Sequence, residues 1–353
     1  MDSQQHSPGR EGVVVVGGAN LDIRARCTEP VVARTSNPGV STTRPGGVGR
    51  NIAENLARLG SQVTLLTPLG RDAFGAQLRA HAEQAGIELV ALGSVSGRTG
   101  SYLALLDADG EMVAAVSDMA ITDALTPEHL EPLPSILPTA RLVVLDANVP
   151  PDAASFVLDA AAEHGVPVLV ELVSVAKAAR LAPAISRRPV LAISANLPEL
   201  SALLGRQVND QPADIAAAAA GLTDGPVQHV WVHRGPNPSV LCSRSQDHWD
   251  EIAPPPVPVI DVTGGGDAMA AGFAFAILRG DDPASAATFG QMLGALTVAT
   301  PDTVVQGLRP GLVESALAGA DLSRAADAGA DTLPADATDT DDRIDVADDE
   351  DET

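Results

Sequence analysis

The run Val13-Val-Val-Val16 is apolar at every position and ends in Gly17-Gly18, the pattern of a strand buried on both faces and closed by a tight turn. From Gly47 to Leu59 the spacing changes. Ile52, Ala53, Leu56 and Leu59 fall on one helical face and Gly60 stops the run, which predicts a helix. Val63 to Thr67 reads as the next strand and Asp72 to Ala85 as the next helix, closed by Gly86. From Leu142 onward, strand patterns near 142–146, 166–170, 189–193 and 229–233 alternate with helical ones near 152–164, 197–204 and 211–222. A strand pair near 239–252 and a proline-rich stretch (Pro254, Pro255, Pro256, Pro258) precede helices at about 266–279, 284–300 and 311–317. Such alternation predicts an α/β fold with a doubly wound, mostly parallel central sheet flanked by helices.

Two stretches break the alternation. Residues 22–44 are rich in Thr, Ser, Asn, Pro and Gly, and Ser101–Leu106 and Met112–Val116 flank the acidic turn Asp107-Ala-Asp-Gly110. The second is a hairpin signal, and a hairpin inside an α/β chain marks an insertion. Residues 12–320 then form one folded domain without an internal repeat. The polar leader 1–11 and the tail 321–353 are expected to be disordered; from Asp336 to Thr353 ten acids face the single Arg343, and no apolar periodicity supports an element there.

Composition narrows the partners. Aromatics are only 2% of the chain and the formal net charge is −24, which disfavours base-stacking rows and repels a polyanion, so a nucleic-acid polymer is excluded. Cys27 and Cys242 are the only cysteines and give neither a disulfide framework nor a zinc spacing. The N-terminus lacks an apolar signal region, and no run approaches the ~18 apolar residues that cross a bilayer. A cytoplasmic protein with no membrane partner is the expectation.

The strongest chemical signal is Asp261-Val-Thr-Gly-Gly-Gly-Asp267, followed at once by the apolar helix from Ala268. Three glycines at a helix start turn backbone N–H groups toward one point, and with the helix dipole they make an anion hole suited to a transferring phosphoryl group. Asp267, in the first turn, either caps the helix or accepts the proton of an attacking hydroxyl. No Gly-x4-Gly-Lys-Ser/Thr loop is present, and Gly17-Gly18 lacks the dinucleotide-binding spacing. Asn20 and Asp22 follow the first strand, at the strand edge where α/β sheets hold ligands; an Asx-turn is the plainer alternative. Gly46-Gly-Val-Gly-Arg-Asn51 opens a helix with glycines that admit close approach, and Asn51 both donates and accepts toward a diol. Asn196-Leu-Pro-Glu199 either caps a helix or holds hydrated Mg²⁺ and nucleotide phosphates.

Taken in order, these motifs resemble the ribokinase-like (PfkB) carbohydrate kinase family over residues 13–317, and within it most resemble the pseudouridine kinases. Ser36-Asn-Pro-Gly39, Pro45 to Leu56, Ser101 to Asp107, Gly110-Glu-Met112 and Asp118-Met119 carry the closer likeness. The resemblance implies a small β-lid from about 22–44 and 88–118 that closes over a nucleoside and pairs with a second subunit as a homodimer. It implies ATP-dependent phosphorylation of a nucleoside 5′-hydroxyl, with Mg²⁺ as cofactor. Asn20, Asp22, Gly46, Gly47 and Asn51 would hold the ribose. Asp267 would be the base and Gly264, Gly265 and Gly266 the anion hole. Asn196, Glu199, Gly235 and Thr263 would lie near ATP and Mg²⁺, with Glu199 reaching the metal indirectly. A K⁺ site at Asp261 and the 299–306 loop comes from the same analogy. The chain departs from the family pattern at Gly265, where Ala is common, and at Pro238, where a Gly-x-x-Gly turn has its second glycine. Leu172 and Ser194-Ala195 depart too, in place of the usual Pro and the usual Lys-Pro. A sister sugar kinase acting on ribose, fructose or another nucleoside is the alternative, and a catalytically silent ligand-binding regulator is the reading from a different class.

Overall fold

The computed structural model describes residues 11–319 except 94, 245 and 247. The disordered leader and acidic tail expected from the sequence therefore lie outside the described residues, Glu11 apart. Strands β1 (Gly12–Val16), β2 (Asn20–Cys27) and β3 (Gly39–Gly46) are followed by α1 (Val48–Arg58), β4 (Gln62–Thr67), α2 (Ala73–Gln84) and β5 (Glu88–Ala91). The hairpin β6 (Gly100–Leu106) and β7 (Met112–Asp118) leads through the one-turn helices α3 (Ala120–Asp123) and α4 (Leu133–Ile136) to β8 (Ala140–Asp146). Regular alternation resumes with α5 (Pro151–Glu163), β9 (Val168–Glu171), α6 (Val175–Ile185), β10 (Val190–Asn196), α7 (Leu197–Leu203), α8 (Pro212–Thr223) and β11 (Val227–Arg234). The chain finishes with β12 (Asn237–Ser243), β13 (Trp249–Ile252), α9 (Gly265–Arg279), α10 (Pro283–Val298) and α11 (Pro310–Leu317).

A nine-stranded sheet runs β13-β12-β11-β10-β9-β8-β1-β4-β5. It is parallel from β5 to β11 and antiparallel only at β12 and β13. The all-apolar β1 sits inside it, and its alternation divides two cores. Val14 and Val16 pack with Val143, Val157 and Leu181 on one face, while Val13 and Val15 pack with Ile52, Leu56 and Phe273 on the other. Strands covered on both faces need no polar alternation, which is why the pattern of residues 13–16 was uniform.

β4 continues on one side of β1 and β8 on the other. The winding therefore reverses between β1 and β8, and the crevice beyond their carboxyl ends is where such sheets bind ligands. Close helix packing fixes what lines it. A Cβ on Gly272 of α9 would lie 2.7 Å from Gly290 Cα of α10, and one on Gly290 would lie 2.6 Å from Met269 O. Bare glycines at the crossing let α9 and α10 approach closely, and the dense contact holds the start of α9 in place.

The second sheet, β3-β2-β6-β7, is small and mixed: β2 pairs antiparallel with β3 and parallel with β6. Both interruptions of the alternation thus meet in one lid. Its sequence limits need one correction. β5, inside the expected lid segment 88–118, pairs with β4 at the edge of the large sheet, because Leu89 and the preceding Ile87 pack into the main core. Helix α6 escaped prediction: Pro183 lies inside it and breaks the expected helical pattern.

Candidate active site

At the carboxyl end of β8, Asp146 is completely buried. Its Oδ2 accepts from Gly18 N at 2.9 Å and Gly49 N at 2.7 Å, and its Oδ1 from Asn148 N at 2.9 Å. One carboxylate thus ties the turn after β1 to the first turn of α1 across the crevice. Burial raises its pKa, against the hydrogen bonds from Gly18 and Asn148. Gly47, just before α1, has φ +98°, and a Cβ there would lie 2.5 Å from Gly18 O. The loop before α1 therefore requires glycine at 47 both for its left-handed backbone and for its approach to the turn after β1.

Asn20 and Asp22 are strand residues at the root of the lid, which replaces the Asx-turn alternative. Asn20 pairs with Gly46 and Asp22 with Arg44 in the ladder, and Asn20 Nδ2 donates to Asp22 Oδ1 at 2.6 Å. Burial raises the Asp22 pKa, partly offset by that bond and by Arg50 and Arg24. A Cβ on Gly46 would overlap the Asp22 carboxylate at 2.4 Å, so the glycine leaves Asp22 its space.

Asn51, one turn into α1, donates from Nδ2 to Asp267 Oδ2 at 2.6 Å. Its Oδ1 accepts from Arg50 Nη2 and, at 3.3 Å, from Thr303 Oγ1. Asp267 stands in the first turn of α9, whose N-cap Gly264 has φ +81°. A Cβ on Gly264 would meet Thr303 O at 2.5 Å. Burial, with Asp146 and Glu199 adding negative charge, pushes Asp267 up to about 6, against the Asn51 hydrogen bond and the Arg50 charge. Gly266 has open space where a side chain would stand, leaving the start of the helix accessible. Gly265 answers the family departure in physical terms: a methyl there would lie 2.9 Å from Val298 Cγ1. Val298 already fills the space that an alanine would use.

At the carboxyl end of β10, Asn196 and Glu199 form a reciprocal capping box at the start of α7. Glu199 Oε2 accepts from Asn196 N and Oε1 from Asn196 Nδ2, both at 2.9 Å, while Glu199 N donates to Asn196 Oδ1. The plainer reading of this pair therefore holds geometrically, and burial raises the Glu199 pKa. Beside it, Glu171 at the end of β9 is 6% exposed and keeps Oε2 without a partner. Burial raises the Glu171 pKa well above the carboxylate range, with Glu199 and Asp267 adding to the rise and Ser194 opposing it. Val173, two residues on, has φ +66°, an unfavourable conformation for a β-branched residue. Gly235 lies exposed in the β11–β12 turn at φ +58°. Pro238 contributes its carbonyl to Arg234 at 3.1 Å.

Asp261 and Thr263 form their own turn: Asp261 Oδ1 accepts from Thr263 N at 2.9 Å and Thr263 Oγ1 at 2.6 Å. The other oxygen, Oδ2, accepts from Arg24 of β2 at 2.9 Å. Both oxygens of the residue expected at a K⁺ site are thus committed, and a guanidinium supplies the positive charge.

Sequence patterns did not single out Asp146, Arg50 or Glu171. An acid at or just past the end of a predicted inner strand was the available signal for Asp146 and Glu171.

The pfkB family carbohydrate kinase model matches residues 10–306. The chain belongs to the pfkB family of carbohydrate kinases. Pseudouridine kinase of Escherichia coli (strain K12) is 34% identical over 292 residues, covering 80% of this chain and 88% of that protein. A carbohydrate kinase structure from Agrobacterium tumefaciens superposes with TM-score 0.77 at 31% identity, covering 87% of this chain and 97% of the other. Arabidopsis thaliana ribokinase, solved with ribose and ATP, superposes with TM-score 0.72 at 24% identity over 88% and 98% of the two chains. The ribokinase-like fold is shared, and this pfkB chain is a carbohydrate or nucleoside kinase. Among its described residues no helix is long and apolar enough to cross a membrane.

Proposed function

We propose that this kinase transfers the γ-phosphoryl group of ATP to the 5′-hydroxyl of pseudouridine. The observation that carries the reading is the 2.6 Å bond from Asn51 to Asp267, which joins the sugar-side loop to the glycine-rich start of α9. Likeness to the pseudouridine kinase of Escherichia coli supports the acceptor. Asn20, Asp22, Gly46, Gly47 and Asn51 take the ribose. Asp267, pushed up to about 6, is ionised at neutral pH yet basic enough to accept the hydroxyl proton as the new P–O bond forms. The N–H groups of Gly264 and Gly266 take charge on the moving phosphoryl group, aided by the helix dipole, and Gly265 N joins them on leaving its 3.3 Å bond to Val262 O. Asn196, Glu199, Thr263 and Gly235 lie on the ATP side.

Mg²⁺, when bound with ATP, neutralises phosphate charge. Among the described residues no cluster of three metal-ligating side chains occurs, and both Glu199 oxygens are held by Asn196. The free Glu171 oxygen and Glu199 therefore suit a cation that keeps its waters and binds chiefly through the phosphates. Closure of the lid excludes water from the reacting groups. Leu103 and Val116, paired across β6 and β7, are exposed, and a second copy of the lid would cover them in a homodimer. A cytoplasmic setting accords with the two free, buried cysteines.

A sugar such as ribose is the second reading, favoured by the shared ribokinase fold and by a site whose assigned contacts all reach the ribose. ADP release measured across pseudouridine, uridine, adenosine, ribose and fructose separates the two. On the nucleoside reading pseudouridine should give the highest kcat/KM, since a lid that closes on the base and hydrogen-bonds it would reject acceptors lacking it. Faster turnover with free ribose would overturn the nucleoside assignment.

A further inference from the structure

The Asn51 amide has two possible orientations, and only one presents a donor to Asp267. With Oδ1 turned toward the carboxylate, two acceptors would face each other. Arg50 decides the matter. A guanidinium has donors only, and Arg50 Nη2 donates to Asn51 Oδ1, which leaves Nδ2 for Asp267. We propose that Arg50 is a positioning residue of the phosphoryl-transfer site, fixing the Asn51 amide and placing one positive charge beside the base. The proposal rests on Asp267 acting as that base.

Arg50 can do this because it is itself held. It is 4% exposed; Nη2 also donates to Pro45 O at 2.6 Å and Thr303 Oγ1 at 3.2 Å, and Nη1 pairs with Glu54. Glu54, 2% exposed, is fixed in turn by Arg58 at 2.7 Å and His81 at 2.8 Å. Burial would raise the Glu54 pKa, but the His81 hydrogen bond and the charges of Arg50, His81 and Arg58 hold it at about 2. A carboxylate this firmly ionised keeps the arginine in one geometry. The chain of contacts therefore runs from α2 through α1 to the first turn of α9.

Around Asp267, β8 brings Asp146, β9 brings Glu171 and α7 brings Glu199, all acids, while α1 brings Arg50. α10 presents Gly294 and Val298 to this end of α9, and Asp22 of β2 faces Arg50. Arg50 is thus the cation set against this acidic surround. Removing its charge raises the pKa of Asp267. The base is then protonated over a wider range, and the acid limb of kcat/KM moves to higher pH.

The test compares pH profiles of the full-length enzyme with ATP and its best acceptor. Arg50→Met combined with Glu54→Gln removes both charges, so no lone buried ion is left to unfold the chain. This double variant should move the acid limb up by about half a unit or more and lower kcat about tenfold or more with little change in the KM for ATP. Arg50→Lys keeps the charge but not the fork; its limb should stay in place while kcat falls. Wild-type kcat and an unmoved limb in the double variant would overturn the proposal, as would the same limb shift in Arg50→Lys. Asp267→Asn tests the underlying reading separately: if that variant turns over normally, Asp267 is not the base whatever Arg50 does.

Discussion

At Asp267, the proposed role as base and the stability of the fold pull in opposite directions. Its pKa is raised to about 6 by burial among other acids. An acid with a raised folded-state pKa destabilises the protein above that pKa, where it must carry charge, and not below the unfolded value, where both states are protonated. Asp267→Asn should therefore melt higher than wild type at pH 7 to 8, with the gain vanishing toward pH 4. Thermal denaturation across that range checks this, and a lower melting point at pH 8 would contradict it. The same variant should lose about 10²-fold or more in kcat if Asp267 is the base, and wild-type kcat/KM should fall as pH drops below about 6. Local sequence disclosed Asp267 because glycines surround it, and Asn51 because it follows a Gly-Gly loop. Asp146 carried only the weak signal of an acid ending an inner strand: two of its partners, Gly18 and Gly49, lie 128 and 97 residues away, so no local motif marks its task. Arg50 was hidden differently, since a lone arginine at a helix start reads as surface until Glu54 and Asn51 are seen around it.

Helix α9 shows how packing fixes a chemical device. Its first turn needs Gly264 in the left-handed region, against Thr303. Gly264→Ala should cost about 1–2 kcal/mol from backbone strain alone, with a further loss of kcat as the anion hole shifts; chemical denaturation and kinetics measure each. Gly265 differs in kind, because the obstacle is the Val298 side chain at 2.9 Å. Gly265→Ala alone should cost about 1 kcal/mol by overpacking, and Gly265→Ala with Val298→Ala should recover most of it. A double-mutant cycle without coupling would show that Val298 does not set the choice of glycine. At this scale the sequence was most informative where periodicity was strong, as in β1 and α1. It was least so where a proline interrupts a helix, as in α6, or where a short strand such as β5 is claimed by the larger sheet through its packing.

The whole molecule joins a rigid two-faced sheet to a small lid, and few polar ties cross between them. Arg24 of β2 reaches Asp261 at 2.9 Å, and Arg44 of β3 reaches Pro301 O and Asp302, both at 2.7 Å. Both pairs are partly exposed, so each is worth roughly 0.2–1 kcal/mol. Arg24→Ala with Arg44→Ala should raise the acceptor KM roughly two- to tenfold, an effect that shrinks in high salt; an unchanged KM at low salt would show that these pairs do not help close the lid. That the two interruptions of the α/β pattern build one sheet came from the family resemblance and not from local pattern, because β2 and β6 meet across some 80 residues of intervening chain. The most direct test of the account follows the product itself. Phosphorus and proton NMR of full-length enzyme with ATP and pseudouridine should show one phosphoester on the 5′ carbon for each ADP formed, and none with Asp267→Asn. ADP without a phosphorylated nucleoside, or phosphate on another hydroxyl, would contradict it.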